Sequence, residues 1–474
     1  MSTGIVPPPH QAGTPPPAPG SSPPPAEGDD NRSPRRTEWQ QRHLTAETRA
    51  VLDADARVFV HQSLSSPCLD VLVAAEGAQV TDLDGRTMLD FHANQVNVVG
   101  FANPRVVAAV HRQLDELAFC TRRYTNRPAI RLAERLVERS QGVLTRVLFT
   151  TGGATAMSAA LQLARVATGR HKTVSFWDAF HGATLDTISI GGEADFRSGV
   201  GPLVSGTEHV PPPDPSRCPL GCRARSGGCD LACADYLEYV LDHEGDVAAV
   251  VAETVRSTPV IPPPGYWRRV REACDRHGAL LILDEIPNGL GRTGHFFSFE
   301  AESIVPDMVV LGKSLGGGIM PIAALLVREG LNVAPHRAIG HFTFEKSPLA
   351  AAAGLAVLDE IAEHDLPGRA RDLGSATLRR LASVADRHPL VSGVRGRGLL
   401  MGLELGMDDV AEAVMYEALS RGLSIKPTQG RILQLAPPLT VREEDLGRAI
   451  AILDAALGSV EASLEPYHGG TWHG

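Results

Sequence analysis

The sequence has no apolar run of the roughly 18 residues that a membrane-spanning helix needs. Its first residues form no apolar core of the kind that marks a secretory leader. Basic residues are not in excess: 45 Lys and Arg stand against 55 Asp and Glu, for a formal net charge of −10. The electrostatic footprint of a nucleic-acid binder is therefore missing. No internal repeat is present. Cysteine is sparse and odd in number, seven in 474 residues, which argues for reduced thiols over a disulfide framework. These absences leave a soluble cytoplasmic enzyme as the expectation, with length enough for about two to three domains.

What is present changes character along the chain. Residues 1–36 are rich in Pro, Gly and Ser and cannot bury enough apolar surface to fold, so a disordered tail is expected there. Thr45 to Val60 has a helical period with a threonine cap at its start. Residues 71–91 alternate around Asp84-Gly85, a hairpin signal, and amphipathic helices are expected near 104–117 and 127–140. From residue 146 short apolar runs alternate with helical periods: RVLFT, TAMSAALQLARVATG, TVSF, VAAVVAETV, ALLILDEI and DMVVLG. That rhythm predicts an α/β fold with a mainly parallel sheet and helices on both faces. After residue 347 helices dominate, with a few short strands such as GVRGRGLLMGLEL and ILQLAPPL. The expected organisation is a segment at 37–90 joining a small domain, a large domain at 91–345, and the small domain itself at 346–474.

The most informative stretch is 279–318. One apolar strand ends in Asp284-Glu285, and a second ends at Lys313 ahead of Gly316, Gly317 and Gly318. Open α/β sheets bind ligands at strand ends of this kind. A lysine buried there sheds its proton readily and becomes a nucleophilic amine. An aspartate on the neighbouring strand end can hold a protonated ring nitrogen through a charge-assisted hydrogen bond. Together they predict a pyridoxal 5'-phosphate site, with Lys313 and Asp284 as its catalytic residues. For either residue alone, a strand-end acid or a lysine in a Gly-rich turn is the ordinary alternative.

DEIPNGLGRTG, VPDMVVLGKSLGGGIMP and GHFTFEKSPLAAAAG, in that order, resemble the class III aminotransferase family of pyridoxal-phosphate enzymes, and the resemblance runs from about residue 45 to the C terminus. It implies the fold-type-I architecture: a large domain with a seven-stranded, mainly parallel sheet between helices, and a smaller α+β domain. It further implies that Gly152, Gly153 and Ala154, in FTTGGATAMSAA, hold the cofactor phosphate. A helix N-terminus suits that task, although Gly152 and Thr155 replace the family's usual hydroxyl and carboxylate. By the same resemblance Phe180, in WDAFHGATLD, stacks on the ring, His181 is its structural neighbour, and Glu253 is a retained acid beside the cofactor. Thr343 reaches the phosphate of a second subunit, so a homodimer with shared sites is implied, possible also as a dimer of dimers. His92, Asn94 and Gln95 are implied at the entrance as substrate contacts.

The departures bear on substrate. Many family members hold a carboxylate on the reacting carbon with an arginine in a strand like IIRFAPPL; here Gln434 occupies that position, and an amide cannot replace a bidentate guanidinium. The acid that pairs with that arginine is also missing after AETVRSTPV, where Arg256 stands instead. Arg256 is thus expected to hold an anion elsewhere on the substrate, with Lys426 and Arg431 as helpers and Gln434 nearby. This favours elimination from a primary amine bearing a remote anion. HQSLSSPCLDVL, RRYTNRPA, SFWDAFHGATLD and GTEHVPPPDPSRCP resemble a lineage of ammonia-lyases acting on a hydroxylated aminoethylphosphonate. A transaminase, a phosphoethanolamine-type phospholyase and a non-catalytic interaction protein of the same fold are the alternatives. Cys218, Cys222, Cys229 and Cys233 cluster with C-x3-C-x6-C-x3-C spacing. Zinc knuckles use tighter pairs, so a loop whose cysteines pack or stay free is the ordinary reading, with a structural metal as the alternative.

Overall fold

A computed structural model describes residues 33–62, 65–222, 228–408 and 410–464. Most of the tail expected at 1–36 lies outside them. Its boundary is corrected at one end: a helix begins at Arg35 (Arg35–His43), and Arg36 is buried, donating to the Pro67 carbonyl at 2.6 Å. The next helix, Ala46–Val58, starts as its sequence suggests, because the Thr45 hydroxyl accepts from the Thr48 amide and supplies one of the bonds that a helix start lacks.

Seven strands form the large sheet. Their order from one edge is Arg146–Thr150, Ala323–Val327, Met308–Leu311, Leu280–Asp284, Val247–Glu253, Lys172–Phe176 and Thr207–Val210. The Ala323–Val327 strand runs antiparallel to both neighbours and the other pairs are parallel. Side chains alternate between two cores, as a strand's period of two requires. Ala249, Val251, Ile282, Met308 and Val310 pack on one face under the helix Gly153–Thr168, while Val250, Ala252, Leu281, Leu283, Val309 and Leu311 pack on the other. Burial on both faces explains why these strands read as unbroken apolar runs.

Two four-stranded sheets complete the structure. Leu72–Glu76, Gln79–Asp82 and Thr87–Asp90 pair with Leu423–Ser424, so the N-terminal meander joins the C-terminal part of the chain. Val391–Arg397, Leu400–Leu405, Ile432–Leu435 and Lys426–Thr428 form the other, antiparallel throughout. The helix Pro348–Glu363 packs on Pro104–Glu116 and Arg127–Arg139 and against the Lys313 turn. Among the described residues no helix is long and apolar enough to cross a membrane.

Candidate active site

Parallel register assembles the site at one sheet edge. Glu253 pairs with Asp284 across neighbouring strands, and Asp284 pairs with Val310, three residues before Lys313. Asp284 is buried at 2 % exposure. Its Oδ1 accepts from the Ile286 amide at 3.0 Å, and its Oδ2 accepts from His181 Nδ1 at 2.8 Å. The imidazole thereby orients the carboxylate, and its buried Nε2 has no hydrogen-bond partner among the described residues. Glu285 points elsewhere. It accepts from the amides of Ser298 and Phe299 and from the Thr254 hydroxyl, so it anchors the polar loop, and burial pushes its carboxyl up to about 7.

Lys313 corrects one premise. It stands at the strand end, but its side chain is exposed in this chain, so burial within the chain does not activate it. Its backbone is held at φ +44°, in the left-handed region that non-glycine residues enter at a cost tolerated mostly at functional positions. Ser314 fixes this turn by donating to the Gln95 carbonyl at 2.7 Å. Three consecutive residues opposite it, Ala93, Asn94 and Gln95, are left-handed too. Asn94 is exposed there and His92 half-buried, whereas Gln95 is buried with no partner for its amide nitrogen among the described residues. The sequence contains four lysines, Lys172, Lys313, Lys346 and Lys426; among them Lys313 follows directly on the central strands at their C-terminal ends.

Two strands away in the sheet, after Arg146–Thr150, Gly152 precedes the helix Gly153–Thr168, whose first amides have no acceptor within the helix. Nothing lies within 4 Å of where a Gly152 Cβ would stand, so the approach to those amides is open. A Cβ on Gly153 would come within 2.7 Å of Ile286 Cδ1. Ala154 is half-buried, its methyl abutting the position that a side chain on Gly182 would need. The Thr155 hydroxyl donates back to the Gly152 carbonyl at 2.7 Å. Ile286, not singled out from sequence, packs between the Gly153 turn and Gly312, beside Lys313. Phe180 is half-buried, with its ring 4.4 Å from that of Phe196. An amide cradle, an apolar side chain, a half-buried aromatic ring, a held carboxylate and an amine match the phosphate, ring, ring nitrogen and aldehyde of pyridoxal phosphate.

The expected substrate residues fare differently. Gln434 is buried and donates to the Ser257 carbonyl at 2.6 Å, which commits its amide nitrogen to the backbone. Arg431 is ion-paired with Asp408 at 2.6 Å, and Lys426 is half-buried on the strand beside Gln434. Arg256 is corrected from an available cation to a buried, paired one. Its guanidinium is 9 % exposed and is bound by Glu193, with Glu253 at 3.7 Å. Arg256 thus finds its acid in Glu193, from the segment after Gly191-Gly192. A Cβ at Gly192 would meet the Phe176 carbonyl at 2.1 Å, so the glycine is needed to bring Glu193 against the strand end. That glycine pair was a legible signal; its pairing partner was not. Glu253 is buried, which pushes its carboxyl up to about 8 against the opposing pull of Arg256 and, more weakly, of Lys313.

Thr343 is exposed, next to Phe344, whose ring packs edge-on against Phe119 at 5.3 Å. In the cysteine cluster, contact with Cys218 and burial push the Cys222 thiol up to about 11, and burial pushes Cys233 up to about 12. Among the described residues no group of three His, Cys, Asp or Glu side chains is placed to hold a metal.

Comparison with known proteins agrees with this arrangement. Residues 62–457 match the family model for class III aminotransferases. The chain is 42% identical over 458 residues to the (R)-1-hydroxy-2-aminoethylphosphonate ammonia-lyase of Vibrio splendidus, covering 92% of this chain and 96% of that protein. It is 38% identical over 409 residues to an acetylornithine aminotransferase of Methanopyrus kandleri, covering 85% and 99%. Among solved structures it resembles a pyridoxal-phosphate-bound amine transaminase from an uncultivated Pseudomonas species. The TM-score is 0.78 at 31% identity, covering 85% of this chain and 99% of that one.

Proposed function

The chain belongs to the class III aminotransferases, a pyridoxal-phosphate-dependent family, and from that premise we propose that it is an ammonia-lyase acting on a primary amine with a remote anionic group. The substrate is (R)-1-hydroxy-2-aminoethylphosphonate or a close analogue, and the products are phosphonoacetaldehyde and ammonia. One observation carries the reading: Gln434 stands where a carboxylate-clamping arginine is expected, with its amide already given to Ser257. A transaminase must clamp a keto acid in every cycle, whereas a lyase takes one substrate whose reacting carbon need carry no carboxylate. The identity to the Vibrio splendidus enzyme points the same way.

Lys313, Asp284 and His181 form the reacting group of this proposal. The first-turn amides at Gly152, Gly153 and Ala154 would hold the phosphate, Ile286 and Phe180 would lie against the ring, and Asp284 would accept from the ring nitrogen. Glu253 stands beside it. When bound, the cofactor supplies a sink for the electron pair left as the carbon bearing nitrogen loses its proton. The Lys313 amine takes that proton as general base. It then delivers a proton to the hydroxyl on the adjacent carbon, which leaves as water while the electron pair closes a carbon–carbon double bond. The released enamine tautomerises to an imine, and water hydrolyses it to the aldehyde and ammonia. One water leaves and one enters, so the atoms balance. Throughout, His181 keeps Asp284 in place.

A second reading, transamination, is favoured by the similarity to aminotransferases. Incubating holoenzyme with the amine and no keto acid separates the two. Continuous ammonia and aldehyde release supports elimination; a single turnover that stops with the cofactor in its amine form supports transfer. The proposal includes a homodimer, since Thr343 lies exposed next to Phe344, which packs on Phe119; these rings are 53% and 40% exposed and would be covered by a second copy. A cytoplasmic location belongs to the same proposal and suits seven free cysteines.

A further inference from the structure

Beside the Glu193–Arg256 pair lies a cavity of about 650 Å³ whose lining includes Trp177, Gly192, Glu193, Arg197, Arg217 and Arg256. It reaches the reacting edge through Arg256, which faces Glu253, the register partner of Asp284. Its three arginines are not equivalent. Arg256 is held by two carboxylates. Arg197 and Arg217 have no ion pair to a carboxylate among the described residues. Acids do line the cavity: Glu193 is spent on Arg256, and Asp178 and Asp195 form no ion pair with Arg197 or Arg217.

Both free guanidiniums are nevertheless positioned. Arg197 lies over the Trp177 ring at 5.4 Å, and its buried Nε has no acceptor among the described residues. Trp177 is itself stacked on His209 at 4.7 Å, and His209 Nε2 donates to the Gly191 carbonyl at 2.9 Å. Arg217 donates to Gln429 Oε1 at 3.3 Å, and Gln429 is buried at φ +52°. A guanidinium stacked on an indole, with a buried N–H left over, is ordered before any ligand arrives. Two guanidiniums without carboxylate partners among the described residues face one cavity, and a tetrahedral phosphonate or phosphate presents three oxygens to two such forks.

We infer that Arg197 and Arg217, with Trp177 as their support, form the seat for the substrate's remote dianion, and that Arg256, balanced by Glu193, is the wall behind it. This rests on the remote-anion reading of the substrate, but its test does not require that ammonia be the product. Methylphosphonate, which carries the anion and no amine, is titrated into the coloured holoenzyme by calorimetry, and its inhibition of amine turnover is measured. The expected result is saturable binding competitive with the amine, weakened tenfold or more by Arg197→Gln and by Arg217→Gln, partly restored by Arg197→Lys, and weakened less by Arg256→Gln. An amine of the same length without the anion should react equally with wild type and with the Arg197 and Arg217 variants, which separates loss of the seat from loss of the fold.

Non-competitive binding would overturn the assignment, as would no saturable binding, or a loss confined to Arg256→Gln. If methylphosphonate behaves as expected while the amine gives stoichiometric transfer, the ammonia-lyase reading fails and the anion seat stands.

Discussion

Arg256 and Arg292 are both buried, in two regions that handle a buried cation in opposite ways. Arg292 is fully buried at the joint between the large sheet and the C-terminal strands. It donates to the carbonyls of Leu399 and Pro437 and to Asn97 Oδ1. Burial pulls its guanidinium down to about 9. Carbonyl and amide oxygens hold it, and its role is to tie three segments together. Arg256 is neutralised by carboxylates and lines a cavity with two less balanced arginines. A buried charge held by carbonyls behaves as structure; one held by carboxylate side chains beside open space can exchange partners when an anion enters. The energetic reason is that breaking either set leaves an uncompensated buried group, at a cost of roughly 3–5 kcal/mol for a buried ion pair, unless a ligand takes the vacated place.

The largest expected effect separates chemistry from either region. Lys313→Ala should lower ammonia release by at least about a thousandfold, on the scale of a lost general base with its covalent anchor. The holoenzyme's visible absorbance should be lost, and the thermal midpoint of the cofactor-free protein should hardly move. Appreciable residual turnover would remove Lys313 from the mechanism. Next, Arg292→Ala should destabilise the protein by about 2–4 kcal/mol, because three buried acceptors lose their donor. Urea unfolding would register this; an altered KM at unchanged stability would erase the contrast drawn with Arg256.

Glu193→Gln should act on the other region alone. It removes the carboxylate balancing Arg256, so the cavity becomes more positive and methylphosphonate should bind a few-fold tighter, while kcat on an anion-free amine is unchanged. Weaker binding would mean that Glu193 supports the seat in some other way. The smallest effect concerns pH. Burial raises Glu253 to about 8 and Glu285 to about 7, above the ordinary glutamate value of about 4.3. Between those values the folded chain binds more protons than the unfolded one, so stability is full at the acid end and falls as pH rises through 7 to 8. Cofactor-free Glu253→Gln should show a shallower decline of thermal midpoint over that window, and an identical slope would contradict the raised value.

Much of the reacting edge was legible because it is local. Asp284 and Lys313 each end a run of apolar residues, and Gly152-Gly153 precedes a helix; these are one-dimensional signals of a strand end and an amide cradle. The cap at Thr45 and the helix starting near Arg127 are equally local. Arg256 and Gln434 were visible as departures from a pattern, but their partners were not. Glu193 lies 63 residues from Arg256, and Ser257 lies 177 from Gln434. Ile286 escaped notice because an isoleucine after a strand has the look of a core residue until the Gly153 turn is seen against it.

Alternating apolar runs and helical periods in the sequence were enough to specify a parallel sheet with helices on both faces, since periodicity records which side of each element meets water. The local motifs also named an amine and an acid at strand ends. Tertiary structure alone decided that Lys313 is exposed in the single chain, that Arg256 is already neutralised, and that Arg197 and Arg217 are left without carboxylate partners among the described residues around a cavity. Charge balance is a property of distances in space, and a strand register or a glycine that lets two segments touch sets those distances without leaving any mark near the residues it brings together.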